Sequence, residues 1–329
     1  MSSIFGKLFK VSTWGESHGE AIGAVVDGCP AGLEISEEYI QVFLDRRRPG
    51  QSNLTTQRKE SDLVRILSGV FEGKTTGTPI SLIIENTDHH STDYEQIKDW
   101  YRPGHADEVY DSKYGFRDYR GGGRSSARET ATRVAAGSIA RKFLNEKCGT
   151  EFAAWVSIVG ASPCGCPISE LSAEMENEIE NARKNNDSIG AVINLTIKKP
   201  PKNLGEPVFD RTEALLAMAM MSIPATKGFE IGEGFNAAKM LGSEHNKLGE
   251  NHAGGTYGGI TSGEDIFCRI AFKPTPSISQ VQKAKNKNGE IGEISIKGRH
   301  DPCVALRAPV IVESMAALVL MDLWLRNLK

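Results

Sequence analysis

A chain of 329 residues and 35.8 kDa is long enough to bury a sizeable core. Its formal net charge of -3 and pI near 6.2 lack the excess of Lys and Arg that a general nucleic-acid binder needs, so any basic patch must be local. Hydrophobic residues at 39% and charged residues at 25% fit a water-soluble globule, and 34 glycines point to many tight turns or backbone-lined sites.

Ala21 to Asp27 is the first β-rich run, and Ile66 to Phe71 and Ile80 to Glu85 follow it. Between the first two, Ser36 to Arg47 predicts a helix with Tyr39, Ile40, Phe43 and Leu44 on one face, ending ahead of Pro49. Ser126 and Glu129 have capping-box spacing and predict a helix from there towards Leu144. Further strands are expected at Ala191 to Ile197 and Phe267 to Phe272. Between them a helix is expected from Asp210, with Glu213 as capping partner, to just before Pro224. Val310 to Leu325 is strongly apolar, but it holds Glu313 and Asp322 and is shorter than the roughly 20 apolar residues of a membrane span. It predicts a buried helix. The order strand, Pro/Gly loop, helix occurs at Val25 to Arg47 and again at Val192 to Met221, which hints at an internal repeat.

The six cysteines are scattered, and the chain begins without a charged and then apolar signal segment, so a reducing, cytoplasmic setting is expected. Cys164-Gly165-Cys166 is the one close pair and reads as a loop rather than a metal site. No linker or low-complexity tract divides the chain, which is expected to form a single domain over residues 1–329.

Arg120-Gly121-Gly122-Gly123-Arg124-Ser125-Ser126-Ala127-Arg128-Glu129 carries the strongest chemical signal. A helix starting here offers free N–H groups and a positive dipole end to an oxyanion. The glycines admit close backbone approach, and Arg120, Arg124 and Arg128 add forked donors. The same residues also fit a solvated Gly-rich turn before an ordinary helix. No Gly-Lys-Ser/Thr follows the glycines, so the run is not a phosphate loop of the Walker kind.

His18, His105 and His300 each sit in a Gly- or Pro-containing loop, where an imidazole can act as acid or base or simply hydrogen-bond the loop. His89, His90 and His252 read as structural or solvent-facing, and the dispersed histidines lack metal-ligand spacing. Asn251 to Gly259 and Lys273 to Ser277 suit close backbone approach, as turns or as walls for a flat ring and its phosphate.

Taken together, the segments around His18, Arg46 to Arg48, Arg102 to Asp107, Arg120 to Glu129, Lys273 to Ser277 and Lys297 to Pro302 resemble chorismate synthase in the same order over nearly the whole length. The resemblance implies an α+β fold, a β-α-β sandwich with two antiparallel sheets packed between helical layers, and a cytoplasmic homotetramer. It implies a phosphate lyase that uses reduced FMN, without net redox change, to convert 5-enolpyruvylshikimate 3-phosphate into chorismate. No membrane or nucleic-acid partner is implied. NADPH enters only as an indirect reductant through a separate flavin reductase system.

By motif, His18, His105 and Asp301 resemble the family's acid–base groups. Arg124, Ser125, Ser126, Ala225, Gly258, Lys273, Pro274, Thr275, Pro276, Ser277 and Arg299 resemble its flavin contacts. Arg47, Arg102 and Arg128 resemble substrate ligands, and the Arg47 position is also associated with a pyridine-nucleotide phosphate. Pro224 stands where the family commonly has Asn, which removes a backbone N–H and an amide beside the flavin.

Overall fold

The computed structural model describes residues 3–50, 54, 61–87, 98–164, 171–296 and 301–328. Lys297, Arg299 and His300, together with His89, His90 and Cys166, lie outside the described residues.

The first half opens with strands β1 (Ile4–Phe5), β2 (Lys10–Trp14) and β3 (Ala21–Asp27), then helix α1 (Glu37–Arg47). Strand β4 (Val64–Ile66), a small hairpin of β5 (Val70–Phe71) and β6 (Lys74–Thr75), and strand β7 (Ile80–Glu85) follow. An excursion through β8 (Trp100–Tyr101) and helix α2 (Asp107–Tyr114) leads to the long helix α3 (Thr130–Cys148). In the second half come β9 (Glu151–Val159), β10 (Ser162–Pro163), α4 (Ala173–Lys184), β11 (Ala191–Lys198), α5 (Thr212–Met221) and β12 (Thr226–Ile231). After the short α6 (Gly242–His245), strands β13 (Thr256–Tyr257), β14 (Ile260–Thr261) and β15 (Ile266–Phe272) form. A second excursion carries the hairpin β16 (Val281–Asn286) and β17 (Ile291–Ser295), and α7 (Pro309–Asn327) closes the chain.

Two five-stranded antiparallel sheets result, ordered β1-β2-β3-β7-β4 and β10-β9-β11-β15-β12. Set side by side, β2-β3-α1-β4-β7-α3 and β9-β11-α5-β12-β15-α7 have the same order and the same pairings. The repeat hinted at by the sequence is therefore present in the topology. Both excursions also meet, because β8 joins β16 and β17 in one small sheet.

Helices lie between the sheets. α3 packs on β2, β3 and β7, α7 packs on β9 and β11, and the two helices pack on each other. α7 is buried without a break from Val310 to Leu323, which explains its all-round apolar character. Its carboxylate Glu313 accepts from Arg46 at 2.8 and 2.9 Å, from Arg141 at 2.6 Å and from the Ala154 N–H at 3.0 Å, tying α7 to α1, α3 and β9. Asp322 accepts the backbone N–H groups of Lys7, Leu8 and Phe9, so the other buried acid fixes the turn before β2. Among the described residues no helix is long and apolar enough to cross a membrane.

Three expectations need correction. Ile66 to Phe71 is not one strand; β4 and β5 are separated by a turn at Gly69, whose φ is +80°. Asp210 does not cap α5, which begins at Thr212, because Lys7 and Arg326 engage its carboxylate. Ser126 accepts from the Arg128 N–H at 3.2 Å, while Glu129 pairs with Arg133 instead of returning to Ser126. The capping box does not close, and two short 3-10 turns, Gly123–Ser125 and Ala127–Glu129, precede α3.

The α3–α7 crossing is close because Ala135, Ala136, Gly137 and Ala140 keep the α3 surface low. A Cβ on Gly137 would stand 2.5 Å from the Ser314 Cβ and 2.7 Å from its Cα. Gly137→Ala would gain roughly 1 kcal/mol of helix propensity, but overpacking a rigid contact costs roughly 1–3 kcal/mol. The variant is expected to denature at lower urea concentration than the parent; an unchanged or raised midpoint would show that the crossing yields.

Candidate active site

A cleft of about 350 Å³ opens where the two halves meet. The C-terminal ends of α1 and α5 reach it through Arg47 and Pro224, and the turns before α3 and α7 reach it through Arg128 and Arg307. The two excursions close it with His105 and with Lys273, Thr275, Pro276 and Ser277. Five lining side chains are cationic (Arg47, Arg102, Arg128, Lys273 and Arg307), whereas Asp301 is the one lining carboxylate among the described residues.

Asp62 organises the arginines on one wall. Its carboxylate, 2% exposed, accepts from Arg47 Nη1 at 2.6 Å and from Arg128 Nη1. Arg47 also donates to Thr130 Oγ1 and to the Ala127 carbonyl, and Arg128 donates to Asn86 Oδ1 and to the Glu85 carbonyl. Burial by itself would raise the Asp62 carboxyl, but the two guanidiniums outweigh it and hold it below the usual carboxylate range. Burial lowers Arg47, with Asp62 opposing and the nearby charges of Arg307 and Arg128 adding to the decrease.

Asn86 links this wall to His18. While its Oδ1 accepts from Arg128, its Nδ2 donates to the carbonyls of Glu16 at 3.1 Å and Gly19 at 2.8 Å, bracing the turn that carries the imidazole. His18 is 4% exposed, with Ser17 Oγ 3.0 Å from its Nδ1. Gly121, at φ +68°, passes directly over the ring: a Cβ there would stand 2.3 Å from Cε1 and Nδ1. The Gly-rich run thus clamps the catalytic candidate itself. Arg124 strengthens the clamp by donating to the Gly15 carbonyl at 2.9 Å and to Thr13 Oγ1 at 2.6 Å.

Arg102 holds Asp107 with Nε at 2.8 Å and Nη2 at 2.7 Å, and donates to the carbonyl of the same Gly121 at 2.8 Å. Asp107 Oδ1 lies 2.9 Å from His105 Nδ1. A carboxylate only accepts, whereas Arg102 Nη2, 3.1 Å from the same nitrogen, only donates; the shorter contact to Asp107 favours the proton on Nδ1, with Nε2 as the basic ring atom. Burial, aided by the charges of Arg102 and Lys273 and opposed by Asp107, pushes His105 below its ordinary value, so the imidazole is neutral near pH 7. Burial would raise Asp107, but its bonds from Arg102 and His105 depress it well below the ordinary range.

The remaining calls divide. Ser125, Ser126, Ala225, Lys273, Thr275, Pro276, Ser277 and Asp301 line the same cleft as the two histidines and Arg47, Arg102 and Arg128. Ala225 adopts φ +72°, and its carbonyl accepts from the Lys273 N–H at 2.9 Å, which joins the α5 end to the Lys273 loop. Arg124 and Pro274 are not among the lining residues, Gly258 sits in the turn between β13 and β14 away from the cleft, and Arg299 lies outside the described residues. Arg120 donates to Asp118 at the surface. His252 lies between Glu233 and Glu250, clear of the cleft.

A family model described as chorismate synthase matches residues 9–325. The chain belongs to the chorismate synthase family. A chorismate synthase of Christiangramia forsetii is 54% identical, with 98% of this chain and 97% of the relative covered. One of Lachnoclostridium phytofermentans is 53% identical over 99% of this chain and 96% of its own length. A crystal structure of chorismate synthase superposes with a TM-score of 0.76 at 30% identity, covering 98% of this chain and 94% of that one. Members of the family are phosphate-eliminating lyases, which agrees with a cleft rich in oxyanion donors.

Sequence reasoning missed Asp62, Asp107 and Arg307 as parts of this site. Asp107 and Arg307 had readable signals, their positions five residues after Arg102 and six after Asp301, whereas Asp62 is brought to Arg128 by tertiary packing.

Asp62→Asn keeps the shape and removes the charge that two buried cations share, which is expected to cost about 3–5 kcal/mol. The pH sign follows from linkage: near pH 3.9 the unfolded carboxyl takes up a proton that the folded one still refuses. Stability therefore falls as pH drops below about 4, and the variant should lose this part of the acid slope. Equal denaturation midpoints for the two proteins at pH 7 would contradict the assignment.

Proposed function

We propose that the cleft carries out the trans-1,4 elimination of phosphate from 5-enolpyruvylshikimate 3-phosphate to give chorismate, a step of aromatic amino acid biosynthesis, with reduced FMN bound beside the substrate. The reading rests on one observation above all: five cations and two histidines converge on a single cleft with one carboxylate. Substrate and flavin together bring two phosphates and two carboxylates, and such a site meets them with guanidinium forks.

Flavin fits the residues present. Thr275 Oγ1 is buried without a hydrogen-bond partner among the described residues, so it awaits a polar atom of a ligand. Lys273, Thr275, Pro276 and Ser277 supply a rigid wall with hydroxyl and ammonium donors, and Ser125, Ser126 and Ala225 line the same cleft as its other contacts. Pro224 offers this wall no amide. When bound, reduced FMN lends electron density as phosphate departs and takes up hydrogen, without net redox change.

Arg47, Arg102 and Arg128 bind and orient the anionic groups, their own carboxylate partners having already offset part of the desolvation cost. His18 protonates the departing phosphate, its ring held in place by Gly121 and Ser17. His105 begins neutral; an anion in the cleft offsets the burial that depresses it and draws a proton onto Nε2. Asp301, paired with Arg307, is the base that acts through the flavin: its carboxylate receives the proton given up by the flavin N5 after hydrogen transfer from the substrate. In the same reading the whole chain acts as one unit in a cytoplasmic homotetramer, and a separate system using NADPH reduces the flavin.

Anaerobic assays with purified protein and 5-enolpyruvylshikimate 3-phosphate test the reading. Chorismate and phosphate should appear in equal amounts only when reduced FMN is added, and His18→Ala should lower kcat about 10²- to 10⁴-fold. Turnover at full rate without reduced flavin would overturn it.

A further inference from the structure

We propose that Arg307 is a further ligand of the substrate, donating from Nε to one of its carboxylate oxygens; the assignment rests on the elimination reading above. Arg307 lines the cleft with its side chain 12% exposed, and Nη2 donates to Asp301 Oδ2. Its Nε is buried with no partner among the described residues.

The other three cleft arginines differ at the same atom. Nε of Arg47 donates to Thr130 Oγ1 at 3.3 Å, that of Arg102 to Asp107 Oδ2 at 2.8 Å and that of Arg128 to Asn86 Oδ1 at 2.9 Å. A buried charged donor left unmet carries a large desolvation penalty, which a carboxylate oxygen removes with a charge-assisted bond. The donor is held in place from its other end by Asp301, so little side-chain freedom is lost on binding.

The repeat in the fold supports the assignment independently. Arg128 stands two residues before α3 on a 3-10 turn and pairs with Asp62; Arg307 stands two residues before α7 on a 3-10 turn and pairs with Asp301. Equivalent positions of the two halves thus present a carboxylate-paired arginine to the same cleft. A substrate bearing one phosphate and two carboxylates has use for both.

Isothermal titration of 5-enolpyruvylshikimate 3-phosphate into the flavin-free protein tests this without relying on turnover. Arg307→Met should weaken binding about 10- to 100-fold, and Arg307→Lys, which lacks the Nε donor, should also bind more weakly than the parent. Ethylguanidinium added to Arg307→Ala should restore part of the affinity, an effect that a purely structural role would not produce. Asp301→Asn serves as the background that separates contact from positioning: Arg307→Met should still weaken binding there. Undiminished affinity in Arg307→Met, or in Arg307→Lys should the methionine variant not fold, overturns the assignment. Loss of the effect in the Asp301→Asn background overturns it as well, reducing Arg307 to a support for Asp301. Failure of the parent protein itself to bind this substrate would instead bring down the elimination reading, and the assignment with it.

Discussion

Two buried guanidiniums share one buried carboxylate, and the cleft is built outward from that trio. Without Asp62, Arg47 and Arg128 would be unpaired like charges in a poorly solvated wall, at a cost of several kcal/mol. With it, one net positive charge remains on that side, fixed in direction. The bonds continue from Arg128 through Asn86 to the turn that carries His18, so a charge pair sets the position of an imidazole. Arg102, Asp107 and His105 repeat the device where Arg102 reaches the Gly121 carbonyl, with one carboxylate between a guanidinium and an imidazole. Both supporting carboxylates sit behind the cations rather than in the cleft, which leaves the lining strongly positive.

The duplicated topology explains why these groups meet. Each half runs two strands, a helix, two strands and a long helix, and the long helices α3 and α7 pack against each other between the sheets. That packing brings the starts of α3 and α7 together with the ends of α1 and α5. The helix starts offer N–H groups and positive dipole ends there while the ends of α1 and α5 offer carbonyls and negative ones, so the preference for anions comes from the Arg and Lys side chains of the lining. The excursions inserted before α3 and α7 then supply the residues that differ between the halves, His105 from one and the Lys273 loop from the other.

Much of this was legible in the sequence where the signal is local. Ala21–Asp27 and Ile80–Glu85 are strands over the very residues expected, and the helix expected from Ser36 to Arg47 runs from Glu37 to Arg47, with Ser36 as its cap. Asp210 and Glu129 misled because their spacing satisfies a capping rule while a distant cation, Arg326, or a helical neighbour, Arg133, competes more strongly for the carboxylate. Asp62 carried no motif at all; its importance comes from Arg47 and Arg128 on other elements and from burial that composition cannot show. Arg307 has its partner Asp301 six residues earlier, a spacing that says nothing of the cleft until the fold is known. Arg124 illustrates the converse: its motif was plain, yet its guanidinium is spent on the β2 edge and the His18 turn.

The most direct test of this account is a crystal structure with 5-enolpyruvylshikimate 3-phosphate and FMN both bound. The account predicts the substrate's anionic groups among Arg47, Arg102, Arg128 and Arg307, with His18 and His105 against the two ligands. Substrate bound instead in the surface groove beside Arg117, Arg120 and Lys287 would contradict it.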